Sequence, residues 1–360
     1  MNMFRALAGM TLFVIISGFG IIDSPAWGQP QIGDRRMAAP ITAKEAAALE
    51  GSLSKNPDNL STREQLIRYY FEAAITDRTP EVEEKREQHI FWLIEHHPGS
   101  ELAGSPETGI MAMDFAGSSE GYQHGKQLWL AQVEKNSANQ RILRNAAEFL
   151  TLSDGKIAQE LLEKAAALDP NDTETSSRLA RSYEQQRMFA SSLTEKAALA
   201  KKALSAEERG LQNADTETRF YELADAAMFA LEAGEAAKAQ QFASELLQDA
   251  EKFHDNWNYG NAVHKGNIVL GRVALQQGNI AGAKEHLLAA GNTPGSPQLD
   301  SFGPNVTLAR ELLEKGEREA VIAYLQSCGK FWKMGGDSLR GWVATVKAGG
   351  TPEFGGNLLY

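Results

Sequence analysis

The chain has 360 residues, 42% of them hydrophobic and 23% charged, with 12 prolines, one cysteine and a formal net charge of −11. Such a length carries a sizeable core, and the composition excludes a wholly disordered or collagen-like chain. One cysteine excludes an internal disulfide framework or a multi-cysteine zinc site, and the acidic balance excludes a general nucleic-acid binder, which needs a concentrated basic surface.

Residues 1–28 have the three-part plan of a secretory signal peptide. Arg5 precedes the uncharged apolar run Ala6–Ile22. Asp23, Ser24 and Pro25 end that run, and Ala26-Trp27-Gly28 supplies a small-x-small cleavage pattern. An uncleaved anchor is the rival, but the run is short for a span and carries Gly9, Gly18 and Gly20. Cleavage after Gly28 is therefore expected, leaving a periplasmic or secreted protein with no stable membrane span. Residues 29–40, polar and bounded by Pro30 and Pro40, are predicted to be a flexible linker.

From residue 41 to 333 apolar residues recur three and four apart on an Ala-, Leu-, Glu- and Lys-rich background, which predicts helices throughout. Self-comparison finds repeated units. Leu66-Ile67-Arg68 with Tyr70 opens a weak first unit. Ala146, Phe149, Gly155, Ala158, Leu162 and Ala165 form a second, closed by Asp169-Pro170-Asn171. Leu179-Ala180-Arg181 with Tyr183 starts a third. Ala226-Ala227, Gly234, Ala239, Ala243 and Leu246 form a fourth. Leu270-Gly271-Arg272, Gly278, Ala283, Leu287 and Ala290 form a fifth, and Leu308-Ala309-Arg310, Gly316, Val321, Leu325 and Cys328 a sixth. Each pattern is that of a helix hairpin: small residues allow close approach, glycine permits the turn, and proline stops the second helix.

These residues resemble the tetratricopeptide repeat over roughly Leu60–Trp332. The Gly234–Gly278 and Gly278–Gly316 spacings of 44 and 38 exceed the repeat's usual length of about 34. The resemblance implies an all-α, right-handed superhelix of helical hairpins with a concave surface that binds a partner, usually without catalysis.

Two stretches interrupt the pattern, residues 98–125 and 291–304, both rich in Gly, Ser and Pro. Residues 334–360 are predicted to form a C-terminal cap and tail, with Trp332, Leu339, Trp342 and Val346 covering the end of the array.

Few motifs carry chemistry. Gly121–Lys126 is one residue short of a phosphate loop, with Gln127 where Ser or Thr is needed. His89, His96 and His97 form the densest histidine cluster, read as a helix end rather than a metal site. Cys328 occupies a packing position and reads as a buried thiol, a cross-linked dimer being the alternative. Phe253, His254, Trp257 and Tyr259 either anchor a ligand or pack neighbouring hairpins. No cofactor or metal is expected, and no enzyme activity.

The strongest functional signal is a recurrence. Arg68, Arg181, Arg272 and Arg310 each follow the large-small pair of a first helix, a position that the resemblance turns toward the groove. Guanidinium groups in a row bind carboxylates by paired hydrogen bonds, so an acidic peptide or free C-terminus is the expected ligand, with Lys265 as helper. The competing reading is that each arginine bridges to a carboxylate of this same chain. An exported scaffold holding a protein partner is the leading expectation. An envelope enzyme or accessory subunit with chemistry in 98–125 or 291–304, and a self-associating structural protein, stand as alternatives.

Overall fold

The computed structural model describes residues 41–76, 79–112 and 120–358. The expected signal peptide, its cleavage point and the linker lie outside these residues, as does 113–119 of the first interruption. The chain is all-α, with sixteen α-helices and no strand among the described residues. No described helix is long and apolar enough to cross a membrane.

The chain divides into two compact units, where the sequence pattern reads as one array. The first comprises 41–186 and 205–213. It contains α1 (Ala43–Leu53), α2 (Leu60–Thr76), α3 (Pro80–His96), α4 (Glu120–Lys135), α5 (Gln140–Leu150), α6 (Gly155–Leu168) and most of α7 (Thr173–Phe189). Starts are set by side-chain caps that satisfy otherwise unpaired backbone N–H groups. Thr42 and Glu45 form a capping box on α1, Thr79 caps α3 ahead of Pro80, and Asn139 caps α5. The interior holds Leu66, Ile67, Ile90, Leu93, Tyr122, Trp129, Leu143 and Leu150, all essentially inaccessible.

The second unit comprises 187–204 and 214–358. It includes the first part of α8 (Leu193–Asn213), followed by α9 (Thr216–Glu232), α10 (Ala236–Ala250), α11 (Tyr259–Gln276), α12 (Ile280–Gly291), α13 (Pro297–Phe302), α14 (Thr307–Glu314), α15 (Arg318–Cys328) and α16 (Gly336–Lys347). Three hairpins, α9–α10, α11–α12 and α14–α15, turn through the same device. Gly234, Gly278 and Gly316 have φ of 79°, 78° and 84°. After each glycine the next N–H reaches back to the first-helix carbonyl five residues earlier: Glu235 to Ala230 at 2.9 Å, Asn279 to Ala274 at 2.9 Å, Glu317 to Leu312 at 3.0 Å. Each is a Schellman turn, which uses up helix-end carbonyls that would otherwise lack a donor. Five residues after each glycine, Ala239, Ala283 and Val321 are fully buried in the second helix, as the repeat pattern requires.

Gly155 departs from this scheme. It is the first residue of α6, not a left-handed turn residue. Its hairpin turns instead through Thr151–Asp154, with the Asp154 N–H bonded to the Leu150 carbonyl at 2.8 Å.

Both expected interruptions contain helix. α4 begins at Glu120, inside 98–125, and α13 lies inside 291–304. α16 packs on the second unit, with Leu339 and Val346 buried beside Phe331, Trp332 and Phe354 and with Trp342 packed on them.

Candidate functional site

The arginine row is most developed in the second unit, where α9, α11 and α14 each supply an ionic residue. Glu232 of α9 receives Arg187 on Oε2 at 3.2 Å and Arg272 of α11 on Oε1 at 3.0 Å. Arg272 Nε donates to Glu311 Oε1 of α14 at 2.9 Å. The result is an alternating string, Arg187–Glu232–Arg272–Glu311, whose last three members staple α9, α11 and α14. Met228, which takes the row position on α9, touches Arg272 Nη1 through its sulfur at 3.8 Å. Only 15% of the Arg272 side chain is exposed. Burial raises the Glu311 carboxyl above the ordinary range, against the opposing pull of Arg272.

The other expected positions differ among themselves. Lys265 faces Asp225 Oδ1 at 3.5 Å. Arg310 is exposed beside Glu311. In the first unit Arg181 is half-buried and engaged by other groups, whereas Arg68 is exposed and makes no ion pair among the described residues. The structure thus brings Arg272 into a network and leaves Arg310 and Arg68 at the surface.

Two arginines outside the row build a second network. Arg144 of α5 meets Asp172 and Glu174, each at 2.9 Å. Arg178 of α7 meets Glu148 at 2.6 Å and Glu174 at 2.9 Å. Neither fits the pattern of arginine after a large-small pair, since Arg178 precedes Leu179-Ala180 and Arg144 stands two residues before Ala146. Their signal in the sequence is the pair of acids, Asp172 and Glu174, at the start of α7.

The remaining candidates resolve into packing. Gly121–Lys126 lies in α4, where Lys126 pairs with Asp154 at 2.7 Å and Gly125 abuts Phe149. His89 is buried between Glu50 and Arg63, at 3.0 and 3.2 Å. A guanidinium only donates, so His89 Nδ1 carries the lone pair and Nε2–H donates to Glu50. Burial lowers the His89 pKa, in keeping with a neutral ring. His96 stacks on Trp92 at 4.6 Å and His97 lies against the same ring. Phe253 stacks on Phe220 and Trp257 on Tyr221, joining the α10–α11 connection to α9.

The 291–304 stretch is fastened on both sides. Thr293 donates to the Gly260 carbonyl at 2.8 Å, and Ser296 to Asn261 at 2.6 Å. His264 Nε2 accepts the Asn305 N–H at 3.0 Å, and Tyr324 donates to the Asn305 carbonyl at 2.5 Å. Asn357 donates to the carbonyls of Phe302 and Pro304 at 3.0 and 2.9 Å. A shallow hollow elsewhere is lined by the consecutive residues Lys135–Arg141 between α4 and α5. No protein-family model matches the sequence, and no curated protein matches it.

Proposed function

We propose that the chain is an exported interaction scaffold whose first helices hold an acidic peptide or a free C-terminus of a partner protein. The supporting observation is the shared Arg272, held between Glu232 and Glu311 at 3.0 and 2.9 Å. Both carboxylates occupy the guanidinium, so an incoming carboxylate binds Arg272 by displacing one of them and taking over its hydrogen bond. Glu311 is the partner surrendered at least cost, because burial already disfavours its charged form. Exposed Arg310, on the same helix, receives a second acidic group from solvent, and Lys265 lies about two turns from Arg272 on α11.

The test is crosslinking in the native envelope, comparing the wild-type chain with Arg310→Ala and with Arg272→Ala/Arg310→Ala. Loss of a specific captured protein in both variants is expected. Unchanged capture by both overturns the reading. The exposed Arg310→Ala variant separates lost recognition from lost folding.

A further inference from the structure

The turn between α7 and α8 exposes apolar side chains that nothing in the proposed groove uses. Phe189, the last residue of α7, is 75% exposed, and Leu193, the first of α8, is 86% exposed; Met188 adds 41%. Three large apolar groups within six residues stand out from a tight turn, 190–192, closed by the Ser192 cap on the Glu195 N–H at 3.1 Å. They form a projecting knuckle rather than the wall of a groove.

The charge around this knuckle is reversed relative to the molecule. Residues 188–202 contain Lys196, Lys201 and Lys202 against one acid, Glu195, in a chain whose net charge is −11, while the adjoining Arg187 is neutralised by Glu232 at 3.2 Å. Thr194, Ala198, Lys201 and Lys202 share the exposed side of α8, while Ala200 and Leu204 are buried. Lys201 is eight residues along the helix from Leu193, about 12 Å of rise.

We infer that this knuckle seats in the surface of an anionic phospholipid bilayer, with Phe189 and Leu193 entering the headgroup boundary and the α8 lysines resting on phosphate. A folded protein partner would offer a pocket, and a projecting tip suits a slab better. Apolar tips with flanking lysines bind an interface through both terms together, to a depth of roughly 5–10 Å. Each lysine near an anionic surface adds attraction that salt weakens.

The test is flotation of the exported, full-length processed protein with vesicles of phosphatidylcholine containing phosphatidylglycerol, and with vesicles of phosphatidylcholine alone. Wild-type protein is expected to float with the anionic vesicles and to be released by salt. Phe189→Ser/Leu193→Ser should weaken the partition by about tenfold or more. Lys196→Glu/Lys201→Glu should abolish the preference for anionic lipid. Unchanged thermal unfolding of both variants shows that the fold is kept. Equal flotation of wild type and the apolar variant overturns the inference. So does flotation indifferent to phosphatidylglycerol, or a concentration-dependent dimer abolished by the same apolar variant without any lipid binding.

Discussion

The imidazole of His264 and the backbone of Asn305 are locked in one orientation: Nε2 accepts the Asn305 N–H at 3.0 Å while Nδ1 meets the Ala290 carbonyl at 3.0 Å. A carbonyl only accepts and an N–H only donates, so the ring is neutral with its proton on Nδ1. Charging it would set an N–H against an N–H in a buried site.

Burial accordingly lowers the His264 pKa from 6.5 to about 4. The unfolded chain then binds more protons than the native one between those values. The stabilising contribution is complete above about pH 6.5 and drains away as pH falls toward 4, on the order of 3 kcal/mol in all. His89 and His286 are lowered by burial as well and act in the same sense, whereas raised Glu311 acts in the opposite one. Urea unfolding from pH 7 to pH 4.5 should show a steady loss that is smaller in His264→Gln. A flat profile would contradict the buried neutral ring.

Two glycines on α11 and at its end should respond differently to alanine. Gly278 has φ 78° with open space where a methyl would stand, so Gly278→Ala meets only backbone strain, about 1–2 kcal/mol. A methyl on Gly260 would collide with the Gly295 carbonyl, a backbone group that cannot swing aside. Gly260→Ala should therefore cost more than Gly278→Ala and loosen residues 291–306, read by hydrogen exchange of the Asn305 amide.

The Arg272 bridge predicts strong non-additivity. Arg272→Ala strands two part-buried carboxylates and should cost about 2–3 kcal/mol. Arg272→Lys should recover little, since an ammonium lacks the fork that reaches Glu232 and Glu311 at once. In a double-mutant cycle with Glu311→Gln, a coupling energy of about 1 kcal/mol or more is expected. Additive costs would mean that the pair contributes nothing in solution.

Cys328 is fully buried among Tyr324, Leu325 and Trp332, and burial raises its thiol pKa. The native protein should resist iodoacetamide at pH 8 and be labelled once only, after denaturation. Reducing agent should leave its mass in solution unchanged. A reducible dimer would show that the last hairpin opens.

The parts of the fold legible in the sequence are those with a local cause. Gly234, Gly278 and Gly316 announce their turns because only a left-handed residue lets the following N–H double back. Gly155 looks equivalent and is not, because nothing in a glycine itself distinguishes a helix start from a helix stop. The 98–125 stretch reads as a loop through its Gly and Ser content, yet Tyr122, Trp129 and the Tyr122–Asp154 bond carry α4 back to Glu120. At the candidate site, spacing alone places the arginines on first helices. It does not place their partners, since Arg272 and Glu311 lie 39 residues apart and meet only when neighbouring hairpins stack. The His264–Asn305 lock is invisible in the sequence for the same reason.

Asn357 binds carbonyls of a segment up to 55 residues earlier, and its own carbonyl receives the Val306 N–H at 3.0 Å. During synthesis the start of α14 therefore lacks its closing strap until position 357 has emerged. The last hairpin is completed by a segment made some fifty residues after its first helix begins.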